Sequence, residues 1–309
     1  MKNSLSVAAL LLCANLVHAE CKPSPWGPED EIGNANLINA ASVLAASKLI
    51  TRGKTYPLGI TIDSNTPAFP PRQMSLQVVQ PGQQFGQRPF PNAVYNDDIF
   101  TGWFGIGSQL DGLGHMGGAD GNFYNCLKGT EISEISGLTK LGIHNVPPLV
   151  ARGIVLDMAA YRGKEFLSAG ESFSVKDVQA VEKAQGTPVR EGDVVLFHTG
   201  WTDAKLDSDP VAWASGEPGI SEEVAAYLAS KRVVAVGADT WGVDVAPSPD
   251  PARTFQGHVI LLKENGIYLL ETMNTGPLVR DDVHEFMFVL GQARVRGAVQ
   301  MMINPVAIR

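Results

Sequence analysis

A compact polar run, Ser108-Gln109-Leu110-Asp111-Gly112-Leu113-Gly114-His115, stands in a Gly-rich and nearly uncharged stretch of the chain. If Gln109 to Asp111 is extended, the amide and the carboxylate point to one side, because alternate residues of a strand share a face. Their oxygens then make half of a site for a hard cation. Gly112 and Gly114 let the backbone turn sharply enough to bring His115 back to the same pocket. The competing reading is structural: an aspartate that caps a turn and a histidine that hydrogen-bonds it.

A second cluster lies far downstream. His258 opens an apolar run, and Glu271 follows the apolar strand Gly266 to Leu270. A glutamate there must be paired, solvated or bound to metal, since an unpaired buried charge costs several kcal/mol. Salt bridges with Arg253, Lys263 or Arg280 are the alternative. Together Gln109, Asp111, His258 and Glu271 offer oxygen and imidazole ligands and no thiolate, a set that favours Mn²⁺ or another borderline divalent ion and leaves Zn²⁺ open. The chain carries no Gly-x-Ser-x-Gly elbow, His-Glu-x-x-His pair, P-loop or Gly-x-Gly-x-x-Gly opening a helix, which removes the common nucleophile and nucleotide classes.

The elements that must position these residues are short. Apolar runs bounded by turn residues read as strands at Gly153 to Met158, Asp193 to His198, Val233 to Ala238, Ile267 to Glu271, Phe286 to Leu290 and Ala298 to Ile303. Helical spacing runs from Asn36 to Leu49, and start signals stand at Ser174-Val175-Lys176-Asp177 and Ser221-Glu222-Glu223. Asn265-Gly266 marks a tight reversal. Residues 62–98, rich in Pro, Gln and Asn, read as a long loop, a lid or an interface arm. So few helices among so many β runs favour a mixed α/β body, with no linker to split it, over a doubly wound sheet.

The chain has 309 residues, 24 basic against 32 acidic, a net charge of -8, and 32 Gly with 20 Pro. With 44% hydrophobic residues it is globular, and without a Lys/Arg cluster it presents no surface for nucleic acid or anionic membrane. Lys2, the apolar run Leu5 to Val17 and Val17-His18-Ala19 read as a signal peptide, residues 1–19, cleaved after Ala19, so the expectation is a secreted or periplasmic protein. The rest, 20–309, is one domain with two cysteines, Cys21 and Cys126. An oxidising compartment permits a disulfide between them, provided the arm at Pro23 to Gly33 folds back onto the segment around Tyr124.

These residues resemble the metal-dependent cyclase family that includes kynurenine formamidase (arylformamidase) and isatin hydrolase. Its fingerprint, His-x-Gly-Thr-His-x-Asp-x-Pro-x-His, falls on Gly105-Ile106-Gly107-Ser108-Gln109-Leu110-Asp111-Gly112-Leu113-Gly114-His115. Gly107, Asp111 and His115 match, and Ser108 stands in for threonine. Gly105 and Gln109 replace two histidines that are metal ligands in the family. The resemblance runs from about Trp26 to Asn304. It includes Trp26-Gly27-Pro28-Glu29-Asp30-Glu31-Ile32-Gly33, Thr199-Gly200-Trp201, Gly237-Ala238-Asp239-Thr240 with Asp244, and His258 with Asn265-Gly266-Ile267-Tyr268-Leu269-Leu270-Glu271.

The resemblance implies an α/β fold: a compact single domain with a barrel-like mixed β-sheet flanked by helices. It implies one divalent metal ion, Mn²⁺ or Zn²⁺, held by Asp111, Glu271 and the Gln109 amide oxygen, with His258 completing or bordering the shell. His115 would be the catalytic proton shuttle. The activity implied is hydrolysis of a C–N or C–O bond at the carbonyl of a small cyclic or aryl substrate, of arylformamidase, isatin hydrolase or lactonase type, through metal-activated water. Two rivals stand beside it: a secreted small-molecule or metal-binding protein without turnover, and a dehydratase or cyclase. Relatives of this kind assemble as dimers or tetramers, so a homo-oligomer is expected. Trp103, Phe104, Phe123, Trp201 and Trp241 are candidate cavity walls or core packing. His198 faces either the pocket or the core, and His144 and His284 read as surface or interface residues.

Overall fold

The structure, a computed structural model, describes residues 21–80 and 90–309; the expected signal peptide lies outside the described residues. Nine strands form one sheet: β1 (Thr55–Pro57), β2 (Gln109–Asp111), β3 (Leu149–Asp157), β4 (Val194–His198), β5 (Ala235–Ala238), β6 (Tyr268–Glu271), β7 (Glu285–Leu290), β8 (Gln300–Met302) and β9 (Val306–Ile308). Their spatial order is β1-β9-β7-β3-β4-β5-β6-β2-β8. The centre, β3 to β6, is parallel. Its residues, such as Val194 to Phe197 and Tyr268 to Leu270, are wholly buried, as strands covered on both faces must be. Antiparallel strands extend it on both sides, β7, β9 and β1 beyond β3, and β2 and β8 beyond β6. The result is a mixed sheet curled into a half-barrel and flanked by helices.

The helix read from spacing and the two read from start signals all form, the first over a shorter span than Asn36 to Leu49. In α1 (Ala40–Ser47), Asn39 and Ser42 close a reciprocal cap; in α2 (Val175–Gln185), Ser174 and Asp177 do the same; in α3 (Glu222–Ser230), the Ser221 hydroxyl accepts from the Val224 N–H. No helix among the described residues is long and apolar enough to cross a membrane.

One expectation is corrected. Within the stretch read as loop, Met74–Val79 and Asp97–Gly102 pair antiparallel, in register Met74↔Gly102 to Val79↔Asp97. Every residue from Asp97 to Gly102 is exposed, so no inward face imposes the alternation that marks a half-buried strand. Residues 81–89 of that stretch lie outside the described ones.

The N-terminal arm does fold back. Cys21 and Cys126 form a disulfide with Cα atoms 5.6 Å apart. The Tyr124 hydroxyl donates to Asp30 Oδ2 at 2.7 Å, and Asn125 Nδ2 donates to the carbonyls of Gly27, Pro28 and Asp30. Further on, Asn34 N donates to the Gly266 carbonyl at 2.7 Å. A Cβ on Gly33 would come within 2.4 Å of that oxygen, so only glycine passes there. The arm thus rests on the reversal that leads into β6.

Candidate metal centre and cavity

The sheet register assembles the first half of the site. In β2 the side chains of Gln109 and Asp111 share a face, while Leu110 enters the core wholly buried. Glu271 of β6 pairs directly with Gln109, and Gln300 of β8 pairs directly with Asp111, which puts all four polar side chains on one face. Gln300 Nε2 donates to Asp111 Oδ1 at 2.7 Å. Gln109 Nε2 donates to Glu271 Oε2 and, at 3.3 Å, to Asp111 Oδ1. Gln109 is therefore placed with its amide N–H group between two carboxylates, and Asp111 and Glu271 stand side by side.

The second half comes from a helical turn, Gln256–His258, that continues into a π-helical turn, Val259–Glu264. Asp244 accepts from the backbone N–H of Gly257 and of His258, and its Oδ2 lies 2.6 Å from His258 Nδ1. That fixes the ring, so His258 Nε2 faces Glu271 Oε1 at 3.2 Å and Asp111 Oδ2 at 3.8 Å. His115, brought round by the turn that begins at Gly112, places its Nε2 3.9 Å from the same oxygen.

Asp111 Oδ2 is buried and has no hydrogen-bond partner among the described residues. A carboxyl oxygen shut away from water without a partner calls for a proton or a cation. The donor atoms of Asp111, His115 and His258 all lie within 4.8 Å of one another, a grouping that can hold a metal ion. Oxygen and imidazole donors of this kind fit a borderline divalent ion. His115 thus stands among the possible ligands, beside its expected place as proton carrier.

The electrostatics match. For His258, burial opposes protonation, but Asp244 and Glu271 outweigh it and raise its pKa above the ordinary histidine value. Burial, then the charge of Asp111, push Glu271 above the carboxylate range. A cation entering the cluster displaces the protons held there, so its affinity must rise with pH. Burial holds His115 below the ordinary histidine value, against the pull of Asp111, and so favours the neutral imidazole.

The salt-bridge alternative for Glu271 fails on contacts. Arg253 pairs with Glu222, Lys263 with Asp120 and Arg280 with Asp203, so none of the three serves Glu271. The four expected ligands and His115 converge across 162 residues of sequence, Gln109 to Glu271.

A cavity of about 300 Å³ opens over the cluster, lined by Phe69, Arg72, His115, Met116, Trp241, Gly242, Phe255, His258 and Glu271. The rings of Phe69, Trp241 and Phe255 lie 5.6 to 6.3 Å apart, a wall for a flat substrate. Of the five aromatic residues expected, only Trp241 lines this cavity. Phe69, Arg72, Phe255 and Gln300 were missed. Their sequence surroundings carry no periodicity or motif, and a Gln on a short strand carries no chemical signal of its own. His198 lies in the core, its Nδ1 2.8 Å from Thr275 Oγ1.

Comparison with known proteins follows these lines. Residues 56–245 match the model of the family described as "Putative cyclase". A solved structure described as a novel cyclase is 28% identical, covers 92% of this chain and 98% of its own, and superposes with a TM-score of 0.82. Isatin hydrolase A from Ralstonia solanacearum is 18% identical over 87% of this chain and 97% of its own, with a TM-score of 0.61. A structure described as a predicted metal-dependent hydrolase from Bacillus stearothermophilus is 16% identical over 82% of this chain and 97% of its own, at 0.50. No curated protein matches significantly. With the family model spanning more than half its length and the expected ligands gathered under one cavity, the chain belongs to the cyclase family.

Proposed function

We propose that this protein is a metal-dependent hydrolase that cleaves a C–N or C–O bond at the carbonyl of a small cyclic or aryl compound. The observation that carries the reading is the orphaned Asp111 Oδ2, buried within 4 Å of two imidazoles, His115 and His258, that line an aromatic cavity. Asp111, Glu271 and His258 would hold one Mn²⁺ or Zn²⁺, with Gln109 and His115 at its margin. A divalent ion there supplies Lewis acidity, which polarises a carbonyl and acidifies water.

The chain's own residues do the rest. Asp244 holds His258 in one orientation, so that its Nε2 stays on the cluster. Phe69, Trp241 and Phe255 stack on the flat body of the substrate and exclude water from the reacting carbon. His115, half-buried and with its pKa lowered chiefly by desolvation, accepts the proton of the attacking water and returns it to the leaving nitrogen or oxygen. The hydrolase names carried by the isatin hydrolase and Bacillus neighbours support the same class.

Purified protein should hold about one equivalent of Mn or Zn. It should also hydrolyse at least one member of a panel of aryl formamides, isatin-like lactams and unsaturated lactones. Bound metal with no turnover across the panel would leave a binding protein in its place.

Export is the second part of the proposal. The signal peptide reading and the Cys21–Cys126 disulfide, a bond suited to an oxidising compartment, point the same way. N-terminal sequencing of the protein from its native source should begin at Glu20; a protein retaining Met1 inside the cell would sink this.

A further inference from the structure

Arg72 lines the cavity together with His115, His258 and Glu271. It shares a turn with Phe69, whose carbonyl accepts the Arg72 N–H at 3.0 Å, and its guanidinium carbon lies 6.0 Å from the Phe69 ring. Among the described residues its side chain makes one hydrogen bond, from Nη1 to the Gly105 carbonyl at 3.0 Å, and no carboxylate pairs with it. The other edge of the fork is unspent. A half-buried guanidinium with no carboxylate in direct contact is unusual, because burial of a charge is costly unless it is paired.

The space it occupies is made by Gly105. A Cβ at that position would meet Arg72 Nη1 at 2.7 Å and Gln300 Oε1 at 2.8 Å. Gln300 in turn holds Asp111 through Oδ1. Thus a cation and an amide stand where a side chain of residue 105 would be, and the cation faces the cavity. With a divalent ion on the carboxylates, the cavity would have two positive poles and an aromatic wall between them.

We propose that Arg72 is a specificity-determining residue that anchors a carboxylate of the substrate, so the preferred compounds are aryl or cyclic carbonyl compounds bearing an acidic group. A planar fork with two free N–H groups on one edge matches a carboxylate in shape as well as charge. The proposal rests on the hydrolase reading for the word substrate, but the geometry it tests is that of binding.

Benzoate and nitrobenzene are nearly the same shape and differ in charge, so calorimetric titration of both into metal-loaded wild type and Arg72 variants separates the contribution of Arg72 from that of the metal, which is the same in each. Wild type should bind benzoate more tightly than nitrobenzene. Arg72→Met should weaken benzoate about 10- to 100-fold, the scale of hydrogen bonds to a charged group, and leave nitrobenzene unchanged. Arg72→Lys, which keeps the charge without the fork, should fall between them and carries the comparison if the Met variant does not fold. Equal affinity of wild type for the two probes, unchanged benzoate binding in either variant, or equal weakening of both probes would overturn the proposal. Metal content is measured on the same samples. Wild type that takes up no metal counts against the hydrolase reading, while the benzoate-to-nitrobenzene ratio still reports on Arg72.

Discussion

Two buried histidine–carboxylate groups stand at the carboxyl ends of β4 and β6, the two strands that flank β5, and they differ in what is left over. At the end of β4, His198 Nδ1 lies 3.4 Å from Asp239 Oδ2. Asp239 Oδ1 accepts from the N–H and hydroxyl of Thr199, and Oδ2 accepts from the N–H of Gly200. Both carboxylate oxygens of Asp239 are therefore satisfied. At the end of β6, His258 meets Asp244, Glu271 and Asp111, one oxygen of Asp111 has no partner, and a cavity opens above. The same residue types do structural work where their hydrogen bonds are complete. They are equipped for chemistry where one valence is held open.

That contrast can be broken most directly at the two aspartates and at His115. Asp111→Asn should strip the metal and take hydrolysis below detection while the fold persists, read by metal analysis beside circular dichroism. His115→Ala should lower turnover by roughly 10² to 10⁴, the scale of a general acid or base, with metal content nearly intact. Loss of the metal in that variant would make His115 a ligand instead. Asp239→Asn should do the opposite of Asp111→Asn. It sets an amide against two backbone N–H groups and should cost about 1 to 3 kcal/mol in denaturant unfolding, with metal per folded molecule unchanged. If Asp239→Asn also empties the metal site, the two groups are not separable and the comparison fails.

The sequence carried the site better than its surroundings. Alternation alone placed Gln109 and Asp111 on one face, and the strand ending at Glu271 could be read from its apolar run. The meeting of those two segments could not be read from spacing, because it depends on the antiparallel register of β2 on β6. The resemblance to a family supplied that link. The central strands were legible because burial on both faces leaves continuous apolar runs. The hairpin Met74–Val79 and Asp97–Gly102 was not, since nearly all of its residues are exposed and Leu76, Val78, Ile99 and Phe100 face out of the body. Phe69 and Arg72 lie in the same Pro-rich segment and escaped for the same reason. Which aromatic residues form the wall depends on tertiary placement, and Trp241 was found among four that lie elsewhere.

The bond between Cys21 and Cys126 joins residues 105 apart in sequence. In the chain-entropy account a closure of about 100 residues stabilises by about 4 to 5 kcal/mol. Its position matters as much. If the proposed leader is removed after Ala19, the cross-link falls on the second residue of the finished polypeptide, so the terminus could not fray, and an aminopeptidase would find almost nothing to nibble before reaching a staple.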